Sequence, residues 1–214
     1  MSQKNLVKDV RIAGDDRASY MTADVHGLPA LTNEQQSILS SSKEQYLQHQ
    51  ELDKLVVGAA ILQLGGTSSG PRMLLLKRSA LETYYPNVFE MPGGKVDDTD
   101  LTILAAIVRE VKEETGLDVT RVFAQLPDFS YSTSKVTRAE DGQEKTVSKT
   151  CLQLSFAVTV GSEEFRVNAK EHSLGVWADR EMVKDLEMTD EMRALVEGAL
   201  GKAVGDWAEI GGEK

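Results

Sequence analysis

The most restrictive feature of the sequence is the stretch REVKEETG at residues 109–116, where three glutamates occupy five positions. Residues three or four positions apart are neighbours on a helix, so Glu110, Glu113 and Glu114 would share one acidic stripe. Gly116 suits the left-handed position that ends many helices. The stretch therefore predicts the last turns of a helix whose carboxylates gather on one side.

The residues before the glutamates predict that this helix covers residues 101–115 and has an apolar face. Four aliphatic residues fall on one stripe of it: Leu104, Ile107, Val108 and Val111. Because the acidic stripe borders this apolar stripe, we expect the carboxylates to line a cleft. A solvated acidic surface is the alternative, since like charges at this spacing cost a helix only about 0.2–0.5 kcal/mol per pair.

A glycine turn, MPGGK at residues 91–95, precedes the helix. Carboxylates combined with backbone carbonyl oxygens form a set of hard oxygen ligands, which Mg²⁺ and Mn²⁺ prefer. The turn and the helix together therefore predict a divalent-metal site.

The wider pattern predicts an α/β fold with a mixed sheet. Apolar runs at 55–64, 72–78, 119–126, 152–160 and 174–178 predict strands, and helices are expected at 180–186 and 190–203. A long hairpin is expected over 132–150, with Asp141 and Gly142 at its tip. Because strands and helices do not alternate strictly, we expect helices on both faces of a mixed sheet.

Residues 1–50 are predicted to form a partly helical N-terminal extension, and residues 51–214 the main domain. Thr32 with Gln35, and Ser42 with Gln45, have the spacing of capping boxes. An extension that packs on the main domain is the simpler interpretation, and a lid or a dimer arm is the alternative.

The charge balance argues against a nucleic-acid partner, because 34 acidic residues face 24 basic ones. The single cysteine, Cys151, is expected to be buried in a strand and suits a reducing compartment. No signal segment is visible, and the apolar stretch Leu55–Leu62 is too short to span a bilayer. We therefore expect a cytoplasmic protein without a membrane partner; the oligomeric state is left open, a homodimer being one alternative.

Residues 93–117, GGKVDDTDLTILAAIVREVKEETGL, resemble the Nudix box, whose pattern is G-x5-E-x7-R-E-U-x-E-E-x-G-U with U an aliphatic residue. The positions that match are Gly94, Arg109, Glu110, Val111, Glu113, Glu114, Gly116 and Leu117. The segments LLLKRS, YPNVFEMPGGKV and EHSLGVWADREM are similar to other parts of such domains. The resemblance extends over about residues 55–203.

The box departs from the family pattern at one place. Asp100 stands where the pattern has its first glutamate, and the segment between Gly94 and Arg109 is one residue longer. An extra residue inside the helix would turn one part by about 100° relative to the other. We therefore expect it to be absorbed before the first turn, around residues 98–102.

The resemblance implies a Nudix-type α/β/α sandwich and a pyrophosphohydrolase that depends on Mg²⁺ or Mn²⁺. Its substrate would be a small-molecule diphosphate, a nucleoside diphosphate linked to another moiety, cleaved by attack of water at phosphorus. The implied metal ligands are Glu110, Glu113, Glu114 and the Gly94 carbonyl. Arg109 would orient a glutamate within the catalytic site.

Several roles within the site stay open at the level of sequence. The general base is either Glu110 or Glu171, although Glu171 and His172 would equally suit a surface loop pair. Arg78 and Lys95 are candidates for binding substrate phosphate, or ordinary surface cations. The aromatic residues Tyr84, Tyr85 and Phe89 would either stack on a base or pack within their loop, and Glu90 is a further candidate near the metal.

Two other functions compete with this hypothesis. A catalytically inactive Nudix-like module that binds ligand or regulates is one alternative, supported only by Asp100 and the extra residue. An isomerase of the same fold is another, but its chemistry would need a cysteine near the cleft. The predicted burial of Cys151 argues against the isomerase.

Overall fold

A computed structural model of the chain describes residues 30–48, 50–64, 70–138, 144–205 and 207. The helices in this part are α1 (Asn33–Ser40), α2 (Lys43–Leu47), α3 (Ile103–Thr115), α4 (Arg180–Asp185) and α5 (Asp190–Val204). The strands are β1 (Lys54–Gln63), β2 (Arg72–Arg78), β3 (Phe89–Glu90), β4 (Gly93–Lys95), β5 (Val119–Gln125), β6 (Phe129–Arg138), β7 (Glu144–Val160) and β8 (His172–Ala178). The expected hairpin tip at Asp141 and Gly142 lies outside the described residues.

Strand β1 is at the centre of the sheet. It runs parallel to β7 and antiparallel to β2 and β4. Strand β2 in turn pairs antiparallel with β3 and β8, and β7 pairs antiparallel with β5 and β6. The prediction of a mixed sheet is therefore confirmed.

Two apolar cores lie on opposite faces of this sheet. One core contains Leu39 of α1 and Ile107 of α3, packed against Leu55, Leu154 and other sheet residues. The other is built from the opposite sheet face with α4, α5 and Trp207. Helices thus cover both faces, and the prediction of an α/β/α sandwich is confirmed.

Strand β7 has 17 residues and belongs to two parts of the fold. Its first part pairs only with β6 and forms a two-stranded ribbon, while Cys151–Val158 lies beside β1 in the sheet. The ribbon residues are largely exposed, whereas the sheet part is buried on both faces, which explains its nearly continuous apolar sequence.

Helices α1 and α2 begin at the capping boxes expected from the sequence, with Thr32 and Ser42 as N-caps. The side chain of Leu39 is only 3% exposed, and the Ile103 backbone N–H donates to the Ser41 carbonyl oxygen at 2.9 Å. The described part of the N-terminal extension therefore packs on the main domain at the start of α3. Residues 1–29 lie outside the described residues.

Among the helices that the structure describes, none combines the length and apolar character needed to cross a membrane.

Candidate functional site

Helix α3 places two of its glutamates against strand β4 of the sheet. Its N-cap is Thr102, whose hydroxyl accepts a hydrogen bond from the Ala105 N–H at 3.1 Å, and it ends at Gly116 with a φ of 70°. The helix is regular between these caps. The extra residue therefore falls in the segment before the first turn of α3, as expected.

The buried face of α3 differs from the predicted one. Leu104 and Val108 are only half-buried, and the fully buried aliphatic positions are Ile103, Ala106, Ile107 and Val111. The core stripe is therefore rotated toward the acidic residues. As a result Glu110 and Glu114 are buried, while Glu113 stays exposed at the rim.

The glycine turn fits closely around the two buried glutamates. A side chain at Gly94 would place its Cβ 2.6–2.9 Å from the Glu110 carboxyl group. A Cβ at Gly93 would lie 2.1 Å from the Val57 carbonyl oxygen, and the Gly93 N–H donates to Glu114 Oε2 at 2.8 Å. The site therefore depends on glycine at both positions.

Arg109 connects Asp100 with two of the glutamates. Its Nε and Nη2 donate to the two Asp100 oxygens at 2.9 and 2.8 Å, and its Nη1 donates to Glu110 at 2.8 Å and Glu113 at 3.1 Å. Although burial opposes it, hydrogen bonds from Arg109 and the Asp97 N–H keep the pKa of Asp100 below its usual value. Hydrogen bonding to Asp100 in turn raises the pKa of Arg109.

A second polar network links β2, β3 and β8 to Glu114. His172 is 2% exposed; its Nε2 lies 3.1 Å from Glu90 Oε1, and its Nδ1 lies 3.8 Å from Glu114 Oε1. Arg78 donates to the same Glu90 oxygen at 2.7 Å, to Glu82 at 2.9 Å and to the Tyr84 carbonyl at 3.0 Å. The interpretation of His172 as a surface residue was wrong, because strand β8 begins there and buries it.

The buried glutamates are incompletely neutralised. Burial raises the pKa of Glu110, against the attraction of Arg109, and Glu113 and Glu171 raise it further. Burial also raises the pKa of Glu114 well above its usual value, with added repulsion from Glu90, Glu110 and Glu171. Glu171 is thus close enough to act electrostatically on both, although its own side chain is exposed and accepts from Asn168 at 3.1 Å.

The donor set has the chemistry of a divalent-metal site, with carboxylates crowded beside a glycine turn and a net excess of negative charge. Within the described ranges, no three His, Cys, Asp or Glu side chains already converge on one point as a ready-made metal site. Glu113 turns toward Arg109, and Glu114 toward the Gly93 N–H and His172. Binding of an ion would therefore require these side chains to reorient.

A cleft of about 280 Å³ opens beside the glycine turn. Its lining includes both predicted phosphate-binding residues: Arg78, whose guanidinium is engaged as described above, and Lys95, whose Nζ lies 3.5 Å from Asp97. Five aromatic side chains also line it: Tyr84, Tyr85, Phe89, Phe129 and Tyr131. Cys151 is 1% exposed, as expected for a buried strand residue, but it also forms part of the cleft floor, so its burial does not keep it away from the cleft, as was assumed in arguing against an isomerase.

The structure adds residues that sequence reasoning did not assign to the site. Phe129 and Tyr131 belong to β6. Aromatic and hydroxyl residues alternate in the stretch FSYST, and this pattern predicts that the two aromatic side chains share one face of the strand. The pairing of Asp100 with Arg109 had no such signal, because it depends on how the loop before α3 is folded.

The model of the NUDIX domain family matches residues 54–198. In a comparison with curated proteins, "Uncharacterized Nudix hydrolase NudL" of Enterobacter sp. (strain 638) is 37% identical over 59 residues, which is 27% of this chain and 31% of that protein. The m7GpppN-mRNA hydrolase NUDT17 of Xenopus laevis is 28% identical over 154 residues, 71% of this chain and 50% of that protein. The chain thus spans between about a third and a half of the length of these relatives.

Among solved structures, the NUDIX domain of Shewanella oneidensis NrtR, crystallised with ADP ribose, superposes with a TM-score of 0.53. The two chains are 16% identical, and the match covers 75% of this chain and 98% of the other. At this identity the likeness concerns the fold alone.

Proposed function

The chain belongs to the NUDIX domain family, and from this premise we propose that it is a divalent-metal-dependent pyrophosphohydrolase. Its substrate class is a nucleoside diphosphate linked to another moiety. The reaction is attack of water on one phosphorus of the diphosphate, with release of two phosphate-containing products.

The observation that carries the proposal is the contact between the buried glutamates and the glycine turn. Glu110 packs against Gly94, and Glu114 accepts from the Gly93 N–H, although burial disfavours both carboxylates in their charged form. A purely structural role would not favour two poorly neutralised carboxylates at this position. Their placement is consistent with a bound cation.

Four groups are proposed to hold Mg²⁺ or Mn²⁺: the carboxylates of Glu110, Glu113 and Glu114 and the carbonyl oxygen of Gly94. When bound, such an ion neutralises the anionic diphosphate and lowers the pKa of a water ligand. The chain's own residues supply the orientation. Arg109 fixes the rotamers of Glu110 and Glu113, and Asp100 fixes Arg109 through two hydrogen bonds.

The proton from the attacking water is proposed to go to Glu110 or to Glu171. Glu110 is buried beside the turn, and this burial raises its pKa, which favours the protonated form that a base takes up. Glu171 lies on the loop before β8, where its side chain is exposed and would have to exchange its hydrogen bond from Asn168 to reach a bound diphosphate. Comparing the pH–rate profiles of Glu110→Gln and Glu171→Gln distinguishes the two.

The cleft is proposed to bind the rest of the substrate. Arg78 and Lys95 lie near the glycine turn and would contact phosphate oxygens, Arg78 by exchanging its present partners. The aromatic residues that line the same cleft offer stacking surfaces for a base. The NrtR domain binds ADP ribose, a member of the same chemical class.

The alternative of an inactive module loses its main support at Asp100. The carboxylate at this position pairs with Arg109 at both oxygens, so the altered box still has an anchored arginine. All three box glutamates are also present.

The test is a panel of nucleoside diphosphate derivatives with Mg²⁺ and, separately, Mn²⁺, with the products resolved. Glu113→Gln should lower turnover by several orders of magnitude, because the remaining donors would hold the ion poorly. Glu197→Gln, an exposed substitution on α5, is the matched control and should keep wild-type turnover. A folded wild-type protein that is inert across the panel with both ions would refute the proposal.

A further inference from the structure

One face of the ribbon formed by β6 and β7 continues the floor of the cleft. Directly opposed residues of an antiparallel pair share a face, and so do alternate residues along each strand. The pair Tyr131 and Cys151 lines the cleft, and the next pair outward on that face is Thr133 and Lys149. Beyond them the same face presents Lys135 opposite Val147, then Lys145 opposite Thr137.

Three lysines therefore cluster on this surface, which we call the lysine face: Lys135, Lys145 and Lys149. Lys145 and Lys149 flank Val147 along β7 at about 7 Å each, and Lys135 lies across from Val147. All three are exposed, and none forms an ion pair with another residue in the described part of the chain. Lys135 is the diagonal neighbour of both Lys145 and Lys149, at about 7–8 Å, a spacing that long side chains can bridge, so one anion can contact all three lysines.

The opposite face of the ribbon differs in character. It carries hydroxyl side chains such as Ser134 and Ser148, which share a hydrogen bond of 2.8 Å. Its one arginine, Arg138, is paired with Glu144 at 3.5 Å. The unpaired positive charge is thus confined, among the described ribbon residues, to the side that meets the cleft.

Lys54 connects the lysine face to the interior of the cleft. It is opposite Cys151 in the sheet and lines the cleft beside the aromatic residues. Lys149 lies four residues along β7 from Gln153, which is about 13 Å. An extended lysine side chain spans about half of that distance. The ammonium groups of Lys54 and Lys149 can therefore contact the same anion at the outer end of the cleft.

We propose that the lysine face binds a phosphate group of the substrate that is separate from the diphosphate to be cleaved, and so selects nucleotides with an additional phosphate. This inference rests on the proposed function for the identity of the cleft. Its size favours a single phosphate over a long polyanion, because three lysines occupy one small patch on a chain of net charge −10. A nucleic-acid strand would instead need an extended track of cations.

The test compares the binding of AMP with that of adenosine 2′,5′-bisphosphate and adenosine 3′,5′-bisphosphate by calorimetry in the presence of Mg²⁺. Wild type should bind one of the bisphosphates about tenfold more tightly than AMP, the effect expected of one shared charge-assisted contact. The triple variant Lys135→Gln, Lys145→Gln, Lys149→Gln should bring this ratio close to one, with AMP affinity little changed. The preference should also weaken with added salt, because these lysines are exposed.

Lys184→Gln, on helix α4, is the matched control and should keep the wild-type ratio. Equal affinities for AMP and both bisphosphates in wild type would overturn the proposal. So would a triple variant that keeps the full preference, or one that loses only the binding of a single-stranded oligonucleotide. Because the readout is binding, a preference without hydrolysis refutes the proposed function alone, and hydrolysis without a preference refutes this inference alone.

Discussion

At the scale of single residues, the site depends on how closely the glycine turn approaches α3. The Glu110 carboxyl group occupies the space that a side chain at Gly94 would need. The carboxylate also accepts from Arg109, so it cannot move away without breaking that bond. The position of Glu110 is therefore fixed by the absence of a side chain at Gly94 and by the hydrogen bond from Arg109.

Gly94→Ala should accordingly abolish activity while leaving the protein folded. Its methyl group would displace the Glu110 carboxylate, and we expect Mn²⁺ affinity to fall by about tenfold to a hundredfold, as for other losses of ligand support. Affinity is measured by titration of Mn²⁺ with electron paramagnetic resonance, and folding by circular dichroism. Gly198→Ala is the control, because a Cβ there meets nothing within 4 Å. Unchanged Mn²⁺ affinity in Gly94→Ala would contradict the proposed role of Glu110.

Some contacts of single residues in the site were predictable from the sequence, and others were not. The identity of Glu110, Glu113 and Glu114 as a clustered set follows from helical spacing, because that spacing is local. The burial of His172 between Glu90 and Glu114 does not, because these residues belong to different elements and meet only through the sheet. The partners of Arg78 were hidden for the same reason.

At the scale of elements, helix α1 is part of the folded unit. Leu39 enters the same core as Ile107 of α3, and the Ser41 carbonyl accepts the first backbone N–H of α3. The capping boxes made the ends of α1 and α2 predictable, since each depends on residues three apart. Packing of the extension on the main domain was the simpler interpretation, but the specific contact of α1 with α3 was not predictable, because α1 is short and its hydrophobic pattern is weak.

Leu39→Ala should lower the free energy of unfolding by about 2–5 kcal/mol, the usual cost of removing a buried leucine side chain. The measurement is urea denaturation followed by circular dichroism. Leu81→Ala serves as the control: Leu81 is 93% exposed, and its loss should change stability by no more than about 0.5 kcal/mol. If the two variants have equal stability, α1 is not docked on α3 in solution.

The rotation of the buried face of α3 has a similar physical origin. A helical wheel places Leu104 and Val108 on the apolar stripe, but it does not say which part of that stripe meets the sheet. The contacts of α3 with β1 and β4 bring Glu110 and Glu114 inward instead. Helix α3 thus leaves two aliphatic side chains only half-buried and buries two carboxylates instead.

At the scale of the whole molecule, burial of these carboxylates lowers the stability of the fold while serving the proposed function. Burial raises the pKa of Glu114 well above its usual value, so the ionised side chain destabilises the folded chain. This penalty is absent at a pH below the pKa of an unfolded glutamate. It grows as the pH rises toward the pKa in the folded state and is complete above that value.

Glu114→Gln should therefore stabilise the metal-free protein at pH 8 while destroying activity. We expect the melting temperature to rise by about 2–4 °C, which corresponds to roughly 1 kcal/mol in a chain of this size. The amide oxygen can still accept the hydrogen bond from the Gly93 N–H, so this contact is retained. Because glutamine does not ionise, the gain over wild type should shrink as the pH falls toward about 4.3.

Saturating Mn²⁺ should reverse the order of stability. The ion binds only the folded state, so it raises the melting temperature of wild type by mass action, and Glu114→Gln should gain much less. Glu197→Gln, exposed on α5, should follow wild type with and without the ion. A metal-free Glu114→Gln variant that melts below wild type at pH 8 would show that the buried carboxylate does not oppose folding. If Glu114→Gln is instead more stable than wild type without the ion and less stable than wild type with it, Glu114 is retained for the cation that it binds.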